Sequence, residues 1–137
     1  MSRRKEAGNA AVEMVMVAPA LLLLIATIVA AGRIVSTKSA LESVTREAAR
    51  VASISSSSDL ADTTARLRAE EVAEQLGLDR RRLRLEVQTG QFERGSPVTA
   101  AATYDVRISD LPAFGLLPGT FEITAKQVDI AERYGSR

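Results

Sequence analysis

GNAAVEMVMVAPALLLLIATIVAAG, residues 8–32, is an apolar run that carries a single acid. From Met14 to Ala31 no side chain is charged, roughly 18 positions or about 27 Å of helix, near the lower limit for crossing a hydrocarbon core. The acid, Glu13, stands just inside the leading end. Arg3, Arg4 and Lys5 precede the run and only Arg33 and Lys38 follow it closely, a basic bias that keeps the N-terminus in the cytoplasm and sends the rest of the chain outward. Pro19 removes one helical hydrogen bond to Val15 and predicts a mild kink. Two ordinary readings compete: an uncleaved single-pass anchor, and a secretory signal cut after the small residues Val29, Ala30 and Ala31. A signal's apolar region is shorter than this one and has no acid at its head. Neither reading gives Glu13 a task.

If that run is spent on a membrane, about a hundred of the 137 residues remain for one small outer domain. Cysteine and histidine are both absent, which removes disulfides, thiol chemistry, the commonest metal ligand and the commonest general base. No nucleophile–base pair or phosphate-cradling glycine loop is present, and Asp59 with Asp62 offers too few hard ligands for calcium. No catalytic, cofactor-binding or metal residues are therefore expected, and no small-molecule substrate. The net charge of +1 and the 4% aromatic content speak against nucleic acid as a partner. A structural or assembly component is expected rather than an enzyme.

Beyond the run, Ile34, Thr37, Leu41, Val44, Ala48 and Val51 follow one another at steps of three and four, a single helical stripe that continues the first helix as a stalk to about Ser53. Lys38, Glu42 and Arg46 fall off this stripe at i, i+4 spacing. The serines at 55–58 read as a loop, with Ser58 or Asp59 capping a second helix. That helix, from Leu60 to Leu76, should turn Leu60, Leu67, Val72 and Leu76 to the core and stop at Gly77. Then the period changes to two: Leu83, Leu85 and Val87 alternate with polar residues, and so do Val98, Ala100, Ala102, Tyr104, Val106 and Ile108. A third strand holds Phe121, Ile123 and Ala125, with a parity shift to Val128 and Ile130 that predicts a bulge near Lys126 or a strand end. The fold class is α+β: a long transmembrane and stalk helix, a second short helix, and a three-stranded antiparallel sheet with one face on the helices.

The stretches RRKEAGNAAVEMVMVAPALLLL, GRIVSTKSALESVTREAARVAS and VTAAATYDVRISDLPAFGLLPGTFEITAKQV resemble, in turn, the leader and N-terminal helix, the stalk and the β-rich tail of type IV pilin-like proteins, and most closely the TadE-like pseudopilins of tight-adherence pilus systems. The resemblance implies a leader at 1–8 cut after Gly8, a mature chain beginning at Asn9, and Glu13 as its fifth residue, the one that sets assembly register. It implies a transmembrane helix at 9–32, its continuation at 33–54, an extracytoplasmic α+β domain at 59–137, and a pilin-like fold. The implied partners are membrane lipid, other pilin-like subunits and a prepilin peptidase. The implied role is a minor pilin-like subunit of a pilus or secretion apparatus at the cytoplasmic membrane. The alternative is an uncleaved single-pass anchor whose outer domain binds a partner.

Two further features stand apart from this reading. Arg80, Arg81, Arg82 and Arg84 form a basic patch, but in a turn and on a polar strand face beside acids, where solvation is the expected state. The connection Leu111 to Gly119 is apolar, with Leu111, Phe114, Leu116 and Leu117 either a partner-contact surface or a cover over the small core.

Overall fold

Alanine and leucine, both good helix formers, are frequent from Ala7 to Ala52, and the chain forms one helix there, α1, Ser2–Ser53, about 78 Å long. The computed structural model describes residues 2–90, 95–112 and 114–131, with side chains from Val12 onward. Gly8 and Asn9 lie on the helical backbone of α1, but their side chains fall outside the described residues, as do residues 132–137 of the expected outer domain. Pro19 sits inside α1, which continues through it as one element. Hydroxyls on the helix are answered locally: Thr27 Oγ1 donates to the Leu23 carbonyl at 2.8 Å, and Thr45 Oγ1 to that of Leu41 at 2.6 Å.

The expected stripe is buried in its outer half. Leu41, Val44 and Ala48 are fully covered, whereas Ile34, Thr37 and Val51 are half-buried. Thr45, Ala49, Ala52 and Ser53 are buried as well, because α1 is wedged between the sheet and a second helix and so hides more than one stripe. The i, i+4 charges expected to pair along the helix form no ion pairs among the described residues. Glu47 of α1 instead accepts from Arg68 across the seam, at 3.2 Å.

That second helix, α2, spans Ser58–Gln75. Its cap is Ser57, not Ser58 or Asp59: the Ser57 hydroxyl accepts from the Leu60 N–H at 3.4 Å, and Asp59 occupies the first turn, where a carboxylate suits the helix dipole. The stop is as expected. Gly77 has φ +75°, its N–H donates to the Glu74 carbonyl at 3.1 Å, and Leu78 N–H donates to Ala73 at 2.8 Å, the paired bonds of a left-handed helix end. The expected core face is wrong. Ala61, Ala65, Ala69 and Ala73 are buried; Leu60, Leu67 and Leu76 are exposed, and only Val72 of the expected set packs partly on the core. Alanines on both helices, with Ala48, Ala49 and Ala52 on α1, allow a close approach that leucines would block.

A short 3₁₀ turn at Arg80–Arg82 leads into β1, Leu83–Thr89, followed by β2, Pro97–Arg107, and β3, Thr120–Ile130. The strands form an antiparallel sheet in the order β1-β2-β3. The inner face carries Leu85, Val98, Ala100, Ala102, Tyr104, Val106, Ile123 and Ala125 against the helices. No bulge interrupts β3. Its register with β2 is continuous from Arg107 opposite Thr120 to Pro97 opposite Ile130, and Val128 and Ile130 stay on the outer face, exposed.

The direction of each element along α1 is fixed by its neighbours. Arg33, Ile34 and Thr37 share a groove with Tyr104, Val106, Asp110 and Leu111; Lys38, Glu42 and Arg46 share one with Thr124–Gln127; Ser53 Oγ donates to Asp129 at 3.4 Å. β3 therefore runs outward with α1, while β2 and α2 run back toward the apolar half. The β2–β3 connection and the end of α2 lie together at that inner end.

Candidate functional site

Between Val12 and Gly32 almost every α1 side chain is exposed, from 47% at Val17 to 75% at Met16. One helix here is long and apolar enough to cross a membrane. Within it, the Thr27 hydroxyl is satisfied by its own helix, which leaves Glu13 as the only charged side chain from Asn9 to Gly32. Glu13 is exposed, and no described residue forms an ion pair with it. On a continuous helix the Asn9 position lies one turn before Glu13 on the same face, close enough for a charge on one to meet a charge on the other. The helix thus brings Gly8, Asn9 and Glu13 within about one and a half turns, at the end remote from the folded domain.

The apolar connection divides by exposure. Leu111 is buried in the groove beside Arg33 and Ile34 and anchors the segment. Phe114 is half-buried, Leu117 is 53% exposed and Leu116 fully so. Leu111 is thus buried at the edge of the domain, whereas Leu116 and Leu117 are open. The segment is tightly built: Leu111, Phe114 and Leu117 N–H groups donate in succession to Ile108, Leu111 and Phe114 carbonyls, at 3.0, 3.2 and 2.9 Å. Gly119, at φ +146°, closes it by accepting from Ile108 N–H at 3.0 Å, and a Cβ there would come within 2.7 Å of the Ile108 side chain.

The basic patch is largely neutralised. Arg80 meets Glu70 at 3.2 Å and Glu74 at 3.5 Å, Arg82 meets Asp79 at 3.6 Å and also Asp110, and Arg84 joins Asp105 at 2.8 Å and Glu122. The hydrogen bond from Arg82 holds the Asp110 carboxyl below the usual carboxylate range, with Arg107 and Arg33 adding to the effect. Tyr104 ties this end together, its hydroxyl accepting from Asp79 N–H at 3.2 Å. Among the described residues no group of three or more acidic side chains is placed to hold a metal ion.

Residues 8–50 match the family model described as TadE-like protein, a match that begins at Gly8 and stays within α1. The similarity covers the N-terminal helix and none of the sheet. No curated protein and no solved structure matches the chain.

Proposed function

We propose that this chain, TadE-like through its N-terminal helix, is a minor pilin-like subunit of a tight-adherence or type IV-like pilus or secretion apparatus, cut after Gly8 and assembled through that helix. The observation that carries the reading is Glu13, a lone acid in an apolar stretch of helix that is almost wholly exposed, in a matched segment that opens at Gly8. A carboxylate costs on the order of 2.5–3.5 kcal/mol at mid-membrane and less near its edge, so it persists where a cation answers it. Cleavage after Gly8 creates such a cation, the α-amino group of Asn9. That amine meets Glu13 of its own chain or of a neighbour and fixes the axial register of packed helices. The leader stays in the cytoplasm under its three basic residues, and the α+β domain faces outward.

The test is the N-terminal residue of the protein recovered from cells that express the whole apparatus. Asn9 is expected; an intact Met1 would instead leave an uncleaved anchor with a partner-binding outer domain. Glu13→Ala should insert as well as the wild type, still be cut, and lose crosslinks to other pilin-like subunits in intact cells. Glu13→Gln should lose most of them too, since it keeps the shape and drops the charge. Undiminished crosslinking of Glu13→Ala would remove its role in register.

A further inference from the structure

The inner end of the folded domain reaches into the level of the apolar run. Ala30, three residues before the first outward charge at Arg33, is 5% exposed amid neighbours that are open, and Val29, Gly32 and Arg33 share a groove with Leu76, Gly77 and Leu78 from the end of α2. The uncharged helix from Met14 to Ala31 gives about 27 Å against a hydrocarbon core of about 30 Å, so a spanning helix has no length to spare and Ala30 lies at the core's outer boundary. Whatever covers Ala30 is at that boundary as well. The β2–β3 connection hangs from the strand ends that face this side, with Leu116 entirely exposed and Leu117 half so on a turn braced by successive backbone hydrogen bonds. Arg81 and Arg107 stand at the same end, and neither has an ion-pair partner among the described residues.

We infer that the turn carrying Leu116 and Leu117 is a lipid-contact site. It seats in the outer interface of the bilayer beside α1, with Leu76 and Arg107 at the same end of the domain, and holds the domain against the membrane. An exposed apolar turn next to a spanning helix meets headgroups and upper acyl chains without any change of fold, and arginines at that level suit anionic headgroups. The turn is thereby assigned to lipid rather than to a protein partner. The inference rests on the membrane-spanning part of the proposed function and not on cleavage or assembly.

The chain has no tryptophan, so a single one reports on its own surroundings. Three variants of the full chain, Leu116→Trp, Leu22→Trp and Leu67→Trp, are reconstituted in vesicles of phosphatidylethanolamine and phosphatidylglycerol, with lipid brominated near the headgroup end of its chains added in a parallel set. Leu22→Trp reports whether the helix spans, and Leu67→Trp reports on an exposed site on the outward face of α2. Leu116→Trp should emit to the blue of Leu67→Trp and lose intensity to the brominated lipid. Emission and quenching equal to those of Leu67→Trp, with Leu22→Trp still blue-shifted, would overturn the inference while leaving the span intact. A blue shift that grows with protein-to-lipid ratio without quenching would mean that a second copy covers the turn, and would overturn it equally. An unshifted Leu22→Trp would remove the span, and the inference with it.

Discussion

The two halves of α1 are one helix in two solvents. From Val12 to Gly32 large apolar side chains, leucine, isoleucine and methionine, are exposed around the whole circumference. From Arg33 to Ser53 the exposed positions are mostly charged or polar, and much of what is buried is small: Ala48, Ala49, Ala52 and Thr45, with Leu41 and Val44 as the only large side chains fully covered. Lipid rewards apolar size and asks for no partner, whereas a helix seam rewards close approach and penalises excess volume. α2 repeats the second rule, with alanines inward and leucines outward. In this protein the size of an apolar residue is a better guide to its neighbours than its hydrophobicity.

The sharpest way to break this comparison is one truncation in each half. Leu41→Ala should destabilise the outer domain by about 2–5 kcal/mol, seen as a lower melting temperature by circular dichroism of the full chain in micelles, because Leu41 is fully buried and its cavity sits between helix and sheet. Leu22→Ala removes as many atoms from an exposed position and should leave the domain's melting unchanged. Equal losses would mean that the two halves are energetically one.

The seam allows a second test in the opposite direction. Ala65→Leu adds apolar volume to α2 and should nonetheless cost about 1–3 kcal/mol, since the site is filled on every side. Leu67→Ser, on the opposite face of the same helix, should stay within about 0.5 kcal/mol of the wild type. Stabilisation by Ala65→Leu would show that the alanines leave room and that the helices do not approach as closely as their residues imply.

The smallest expected effect is electrostatic and lies at the boundary between the two halves. The Asp110 carboxyl is held below its ordinary value by Arg82, so its contribution is present above the unfolded-state value near 4 and is lost as pH falls through the lower folded value. Asp110→Asn should therefore melt slightly below the wild type at neutral pH, and the gap should close on acidification below about pH 4. A gap that is independent of pH would mean that the ion pair between Arg82 and Asp110 adds nothing beyond packing.

The elements were legible in the sequence to the degree that their signals are local. The uncharged run fixed α1, its period carried the stripe through Leu41, Val44 and Ala48, and the alternation from Val98 to Val106 placed an inner strand face that the fold keeps. Gly77 stopped α2 because a left-handed residue is a property of one position. That Gly8, Asn9 and Glu13 stand on one helix was equally readable, since it is a spacing along the chain, but the roles given to them came from the resemblance alone. The face of α2 was misread because leucines weigh more than alanines in any apolar count. The i, i+4 run Ala61, Ala65, Ala69, Ala73 was the signal that would have found it.

Three things were settled only in three dimensions. The parity of β3 follows its ladder with β2, where a bulge would break backbone hydrogen bonds to hide Val128 and Ile130, side chains that sit at little cost on an open sheet face. Arg68 pairs with Glu71 along α2, at 2.7 Å, but also with Glu47 across the seam, because the packing of α1 on α2 brings them within reach. The connection from Leu111 to Gly119 is apolar in any reading of the chain. The place of Leu111 beside Arg33 and Ile34 arises from strand direction, helix direction and the Gly119 closure together, and these are relations between segments remote in sequence. Local periodicity determines which side chains an element can offer; the packing of elements determines which of them meet lipid, water or each other.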